Sequence, residues 1–467
     1  MRPNNTKDTM DTKDQRVLTF VSLVSCVEDL VKYSVITFGC RVNQADSLNV
    51  EEDLRAHGAI AVDAAEADIV VVNTCSVTAS ADQAARQTIR RIARINPAAN
   101  IVVTGCYATR SPDEVVDLPG VTRVVPNDDK PELISIVHRV PLHWPEREGT
   151  QPDLTTSQRF GNGDGGCGAV LEPGIAGRTA FTLRVQTGCA EECSYCIIPT
   201  TRGRPRSVPI DEVLAEAERV TGAGFKEIAL TGVHLGSYGR DLSPASSLVE
   251  LLRAFDKSRG SDRVEADVLF RISSLEPMDC APEIVELVAS PGCFAPHFHL
   301  PLQHASNRML AAMRRPYTIE YYRALVDGIR SRIPHASIGS DIIVGFPGES
   351  DDDFVELSSY LQSSPLTHVH VFPYSDRPGT RASTRRDKVP GAIVRERARL
   401  IRETGQRLAA AFRASQVGSV HRGLTLEDGS LVVTGNYLKV RIPPGRSRNE
   451  WVNVRLTSQH DGELLGG

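Results

Sequence analysis

Three times within the first 106 residues an apolar, β-branched run ends on a cysteine: Tyr33-Ser-Val-Ile-Thr-Phe-Gly-Cys40, Ala67-Asp-Ile-Val-Val-Val-Asn-Thr-Cys75 and Asn100-Ile-Val-Val-Thr-Gly-Cys106. Helical stretches follow the first two, over Ala45–Ala56 and Ala79–Ile95. Strand, helix, strand, helix is the rhythm of a parallel sheet with crossover helices. Parallel strands bring their C-terminal ends to one edge, and that edge is where open α/β sheets bind ligands. Cys40, Cys75 and Cys106 are therefore expected to meet at one rim. Residues 32–140 read as this first, three-layer domain.

Residues 141–177, proline-containing and then glycine-rich around Gly161–Gly168, read as a linker in which Cys167 is incidental. A second α/β rhythm fills 178–415, with candidate strands Phe181–Thr187, Lys226–Thr231, Asp267–Ser274, His297–Leu302, Ala336–Val344 and His368–Tyr374. Helical stretches such as Ile210–Thr221, Tyr317–Ile333 and Asp352–Leu361 separate them, and Ile393–Arg413 reads as an Arg-studded closing helix. Six βα units suit a partial (β/α)6 barrel with its site at the strand C-termini. From 416 to 467 short strands take over, which suggests a small β-barrel of OB type.

The chain is long enough for two to four domains, and its 41% apolar residues suffice for packed cores. Net charge is −5, yet residues 377–455 hold 17 Lys/Arg against 6 Asp/Glu. That basic third suggests a polyanion contact; solvated faces are the plainer explanation. Ten cysteines in 467 residues are too few for a disulfide scaffold. No apolar run reaches the ~18 residues of a membrane span. Val17–Val27, ending near Leu23-Val-Ser-Cys26, faintly resembles an export signal, but acidic residues crowd the region before it. Residues 1–31 read as an extension, and the expected location is cytoplasmic.

Cys189, Cys193 and Cys196 are spaced C-x3-C-x2-C just after the first barrel strand. Three close thiolates can bind three irons of a cubane and leave the fourth open for substrate chemistry. Structural zinc would want a fourth ligand, and no Cys or His stands nearby in sequence. Around this triad, Thr231, Gly232, Ser273, Ser274, His299, Gln303, Asp341 and Gly345 fall at or just beyond strand ends and form a candidate cofactor cradle. Glycine admits a close backbone approach, and small hydroxyls can donate to a ribose or carboxylate. Cys40, Cys75 and Cys106, at equivalent places in successive βα units, suggest a second cluster. Buried structural cysteine is the alternative for each alone.

The C-x3-C-x2-C stretch resembles the radical S-adenosylmethionine superfamily, in which Tyr195 occupies the aromatic position beside the adenine. The whole of 34–456 resembles its methylthiotransferase family. The motifs are Gly39-Cys-Arg-Val-Asn-Gln-Ala-Asp46, Asn73-Thr-Cys-Ser-Val-Thr78, Thr104-Gly-Cys-Tyr107, Cys196-Ile-Ile-Pro199, Arg202-Gly-Arg-Pro-Arg-Ser207, Ser273-Ser-Leu-Glu-Pro277, Leu300-Pro-Leu-Gln-His304 and Asp341–Glu349. The resemblance implies two [4Fe–4S] clusters, S-adenosylmethionine bound at the open iron of one, and a C-terminal RNA-binding module of the TRAM kind. It implies no side-chain acid or base as catalyst. It further implies tRNA as partner through its anticodon stem-loop, and an electron donor such as flavodoxin or ferredoxin. Ala190-Glu191-Glu192 departs from the family's usual run between the first two cluster cysteines.

Three substrates compete within the family: N6-threonylcarbamoyladenosine at position 37 of tRNA, N6-isopentenyladenosine in tRNA, and a ribosomal-protein aspartate. Leu230-Thr-Gly-Val-His-Leu-Gly-Ser-Tyr-Gly239 and Gly105-Cys-Tyr-Ala108 look most like the threonylcarbamoyl branch. Its polar group is expected to find donors in His234, Ser237, Tyr238 and Arg240. Arg202, Arg204 and Arg206 are expected to reach phosphates. The rival class is a non-catalytic RNA-binding protein with structural metal.

Overall fold

The computed structural model describes residues 30–139, 179–258, 267–460 and 462–467. The stretch Val17–Val27 and the whole of the expected linker, 141–177, with Cys167, lie outside these described residues.

The N-terminal part is a five-stranded parallel sheet of β1 (Lys32–Thr37), β2 (Ile60–Ala61), β3 (Ile69–Thr74), β4 (Asn100–Gly105) and β5 (Val121–Val125), in the order β2-β1-β3-β4-β5. Both faces of β3 and β4 are buried, which is why these strands read as continuous apolar runs. Val70, Val72, Ile101 and Val103 pack under α2 (Ala79–Ile95) through Ala85, Ile89 and Ile92. On the other face Ile69, Val71 and Val102 meet Val50 and Leu54 of α1 (Arg41–Ala56) and Leu133 and Val137. The expected three layers are thus present. Strands β2 and β5, short and partly exposed at the sheet edges, were not visible as apolar runs. A third helix, α3 (Cys106–Arg110), starts directly on the third cysteine.

The central part carries six parallel strands: β6 (Phe181–Arg184), β9 (Glu227–Thr231), β10 (Leu269–Ile272), β11 (His297–His299), β12 (Ser337–Val344) and β13 (His368–Pro373). They form two sheets, β10-β9-β6 and β11-β12-β13, joined by a parallel bridge from Phe270 to Phe294. A two-stranded antiparallel ribbon of β7 (Gln186–Thr187) and β8 (Arg206–Ser207) flanks the first strand. Ile228, Leu230, Phe270, Ile272, Phe298, Ile338 and Ile342 alternate onto one face, where the helices cover them in a single core. These helices include α5 (Ile210–Gly222), α6 (Ile319–Arg332) and α7 (Asp351–Ser363), the last closed by a Ser350–Asp353 capping box. Between β7 and β8 lies α4 (Ile198–Arg202). The closing helix α8 (Gly391–Gln416) lies along β13, with Gly405 against Val369.

The C-terminal part is a closed barrel of β14 (Val420–Leu426), β15 (Leu431–Thr434), β16 (Lys439–Arg441), β17 (Trp451–His460) and β18 (Glu463–Gly466) around Val432, Val440, Val454, Leu456 and Leu464. It docks by side chain to backbone: Arg271 donates to Gly435 O at 2.9 Å, Asn436 to His335 O at 3.0 Å, and Trp451 to Asp267 O at 3.1 Å. No helix among the described residues is long and apolar enough to cross a membrane.

Candidate functional site

Register brings the first three cysteines together. Thr37 pairs with Asn73, and Thr74 with Gly105, so the three strands end almost level. Gly39 and Gly105 then turn the chain at φ +93 and +96, values an L side chain rarely adopts. A Cβ on Gly105 would overlap the Thr74 carbonyl, and one on Gly39 would stand 2.6 Å from the Cys75 sulfur. Cys75 and Cys106 are buried and Cys40 is exposed. Burial pushes the Cys75 thiol up to about 12, and the nearby Cys40 and Cys106 push the same way.

Beside this triad lies a charge imbalance. Asp46, buried, pairs with Lys130 at 2.6 Å, Arg202 at 3.0 Å and Arg184. Burial alone would raise its pKa, but the three cations hold it far below the carboxylate range. Burial also drags Lys130 down to about 8. Three cations thus converge on one carboxylate beside the triad, and cations near a thiol favour its thiolate. Arg202 donates to Asp46 and Asn43, and Asn127 Nδ2 approaches the Cys106 sulfur at 3.7 Å while donating to Thr201 O at 2.8 Å. A set of three thiolates is chemically compatible with those cations.

The second triad follows β7. Gly188, at φ +78, sits so close to the Arg204 carbonyl that a Cβ would overlap it, and Cys189 N donates to Gly203 O at 3.0 Å. Cys193 accepts from Arg315 Nη1 at 3.2 Å, and the same guanidinium pairs with Glu276. Burial pushes Cys196 to about 12. Burial lowers His234 but Asp279, at 2.8 Å, and the Cys189 thiol outweigh it, leaving the imidazole near 9. Arg315 beside Cys193 favours its thiolate, the form that ligates a metal. No three His, Cys, Asp or Glu side chains among the described residues close on a single-ion point. The two triads adjoin: α3, beginning at Cys106, packs on α4, which begins two residues past Cys196.

The cradle residues divide by position. Tyr195 packs edge-on to Phe346, centroids 6.5 Å apart, in a small cluster with Met309 and Met313. Thr231 ends β9, and its carbonyl accepts from Val185. Ser274 is exposed, whereas Ser273 is buried and accepts from Arg41. His299 pairs with Asp341 at 3.1 Å, and Gln303, at φ 68, donates its N–H to Asp341 O at 2.8 Å. Gly232 and Gly345 turn their open sides to protein: a Cβ would press on Gln186 and Leu235 in the first case and on Val394 in the second. The strand face opposite the helices carries Glu227, Arg271, His297, His299, Asp341, His368 and His370, so the barrel lumen is polar and imidazole-rich.

Several expectations fail on burial. Arg202 is 3% exposed and engaged by Asp46, so it cannot reach a phosphate; Arg204 is exposed, and Arg206 pairs with Asp128 at 3.1 Å. Tyr238 is fully buried and donates to Val208 O, and Ser237 donates to His234 O. With His234 held by Asp279, only Arg240 of that group faces solvent. The Asp46 network, Arg315, the His234–Asp279 pair and the lumen histidines were not anticipated. Asn43 and Asp46 do lie three apart in the motif after Cys40, a helix-face spacing that could have drawn attention to them.

Residues 32–126 match the model of "Uncharacterized protein family UPF0004", and 183–361 match the Radical SAM superfamily. The chain is 37% identical to the threonylcarbamoyladenosine tRNA methylthiotransferase MtaB of Aquifex aeolicus, over 88% of this chain and 96% of that one. It is 34% identical to the protein of the same name in Bacillus subtilis, over 86% and 88%. The tRNA-2-methylthio-N(6)-dimethylallyladenosine synthase of Carboxydothermus hydrogenoformans is 31% identical over 83% and 86%. Among solved structures, the radical S-adenosylmethionine methyltransferase TsrM of Kitasatospora setae shares the fold, with a TM-score of 0.52 and 16% identity over 76% of this chain and 77% of that one.

Proposed function

The chain belongs to the radical S-adenosylmethionine methylthiotransferase family, and from that premise we propose that it converts N6-threonylcarbamoyladenosine at position 37 of tRNA to its 2-methylthio derivative. The observation that carries this reading is the packing of α3, which begins on Cys106, against α4, which begins two residues past Cys196. C2 of adenine is neither acidic nor electrophilic at neutral pH, so an acid or base on the protein cannot open it. Cys189, Cys193 and Cys196 would hold one [4Fe–4S] cluster with S-adenosylmethionine at its open iron, and Cys40, Cys75 and Cys106 a second. Bound there, these groups supply the radical and the methylated sulfur. The names of the relatives at 37% and 34% identity support the threonylcarbamoyl substrate.

The protein's own side chains hold, balance and orient. Arg315 donates to the Cys193 sulfur, and Lys130, Arg184 and Arg202 compensate the thiolates of the other triad. Such outer groups orient ligands and tune a metal centre. Tyr195, Thr231, Gly232, Ser273, Ser274, His299, Gln303, Asp341 and Gly345 are assigned to the cofactor cradle, the two glycines through their backbone. Residues 32–140 present the sulfur-bearing cluster, 178–415 the radical chemistry, and 416–467 grip the anticodon stem-loop. Flavodoxin or ferredoxin supplies the electron, and the reaction runs in the cytoplasm. Nucleoside mass spectrometry of tRNA from a deletion strain tests the substrate. Loss of 2-methylthio-N6-threonylcarbamoyladenosine with its precursor retained is expected. Loss of the 2-methylthio-isopentenyl nucleoside instead would overturn the assignment.

A further inference from the structure

Where the three parts of the chain meet, one guanidinium has no carboxylate. Arg41 opens α1 next to Cys40. Its Nη1 lies 3.3 Å from Ser273 Oγ, one residue past β10, and its Nη2 3.3 Å from Tyr437 OH, in the turn between β15 and β16. Both partners are neutral, both bonds are long, and no acid pairs with Arg41 among the described residues. The cations around it are engaged. Arg271 holds Glu227 at 2.8 Å while stacking 4.7 Å from the Tyr437 ring centroid, and Lys130, Arg184 and Arg202 share Asp46.

The two hydroxyls accept from Arg41, so each keeps its own proton for another acceptor. Guanidinium, serine hydroxyl and phenol therefore offer donors to one region, and the net charge there is positive. Tyr437 is 45% exposed and sits at φ 65, a backbone conformation uncommon outside glycine. That turn is nonetheless held rigidly: Thr434 bonds the Asn436 side chain at 2.6 Å, and Arg271 bonds Gly435 O. Next to it the His297 ring lies 5.1 Å from Tyr437, with a buried Nδ1 that has no hydrogen-bond partner.

We propose that Arg41, Ser273 and Tyr437 form a carboxylate-binding subsite that takes the threonyl carboxylate of the substrate nucleoside and so selects an anionic N6 substituent over an apolar one. The inference rests on the threonylcarbamoyl reading above. An isopentenyl group would leave the three donors unsatisfied, and a site built to bond a polar group rejects the analogue that lacks it.

With isopentenyladenosine-containing tRNA as a control for the wild type, the test compares wild type, Arg41→Gln, Arg41→Lys and Tyr437→Phe on two substrates. One is tRNA carrying N6-threonylcarbamoyladenosine, and the other is the same tRNA with that carboxylate converted to a neutral methyl ester. Wild type should prefer the acid. Arg41→Gln should lose about tenfold to a hundredfold in kcat/KM on the acid, mainly through KM, and little on the ester. Arg41→Lys should recover part of the loss. Tyr437→Phe, remote from the cysteines in sequence, should lose a smaller factor, again on the acid only. A wild-type enzyme that turns over isopentenyl tRNA and ignores the threonylcarbamoyl one would sink the substrate reading itself. Wild type that methylthiolates acid and ester equally, or variants that keep its full preference for the acid, would overturn the subsite alone.

Discussion

Glycines, as much as cysteines, decide where the thiols stand. Gly105 and Gly188 are held at positive φ with a carbonyl where a Cβ would go. Gly105→Ala or Gly188→Ala must move the chain that presents Cys106 or Cys189, at a cost of about 1–2 kcal/mol of backbone strain before any clash is counted. Each should bind less iron after anaerobic reconstitution while wild-type-like far-ultraviolet dichroism persists; full iron content would show that the turn is dispensable. The cysteines themselves separate by job. Cys189→Ala, Cys193→Ala or Cys196→Ala should abolish 5′-deoxyadenosine formation. Cys75→Ala should leave that cleavage and stop methylthio transfer, and a folded variant still making methylthio product would return Cys75 to core packing. Asp46 is the single carboxylate on which its network turns. Asp46→Ala would take the carboxylate from buried Arg202 and weaken its hold on the half-buried Lys130 and Arg184, and breaking such a buried pairing costs about 3–5 kcal/mol, readable in the urea midpoint.

At the level of elements, the segment after β11 shows how packing sets a pH limit. His304 is fully buried, accepts from Ser306 N at 3.0 Å, and lies 3.8 Å from Glu349, itself held by Arg397 of α8 at 2.7 Å. Burial pushes the imidazole from 6.5 to about 4. A base whose folded pKa is depressed stabilises the fold fully above its unfolded pKa. That contribution drains away as pH falls from 6.5 toward 4, because the unfolded chain takes the proton first. The loss by pH 4 is about 3 kcal/mol at 1.36 kcal/mol per unit. His304→Gln should therefore give a flatter stability curve than wild type over that interval in chemical denaturation of the cluster-free protein. Parallel curves would mean that His304 titrates normally.

Taken whole, the molecule engages more of its basic segment, 377–455, internally than composition suggests. Arg377 pairs with Asp82 in the N-terminal part, Arg397 with Glu349, and Arg381 with Glu192. On the small barrel Lys439 and Arg455 are exposed and have no carboxylate partner among the described residues, and these are the barrel charges we expect RNA to meet. Phosphate contacts release counterions, so affinity should fall with salt at a log–log slope of about −0.7 per contact for single strands. Lys439→Gln with Arg455→Gln should reduce both affinity and slope in filter binding at several salt concentrations. An unchanged slope would move the RNA-binding surface onto the other two parts.

Periodicity was enough for the architecture. β-branched runs at β3 and β4, alternation in β12 and the change to short strands near Val417 reflect local backbone preference and burial, which neighbouring residues encode. Cysteine spacing likewise carried the chemistry of Cys189, Cys193 and Cys196, since three thiols within eight residues must lie close in any fold. What tertiary structure alone decided was which polar groups lose their water. Arg202 read as a phosphate contact and Tyr238 as a substrate-pocket donor, yet Arg202 is closed in by Asp46, 156 residues away in sequence, and Tyr238 by the carbonyl of Val208. Arg41 gains its neighbours only when β10 and the barrel turn at Tyr437 arrive from 232 and 396 residues downstream. Burial and long-range charge pairing depend on contacts that no local pattern specifies, so these roles became legible only in the assembled fold.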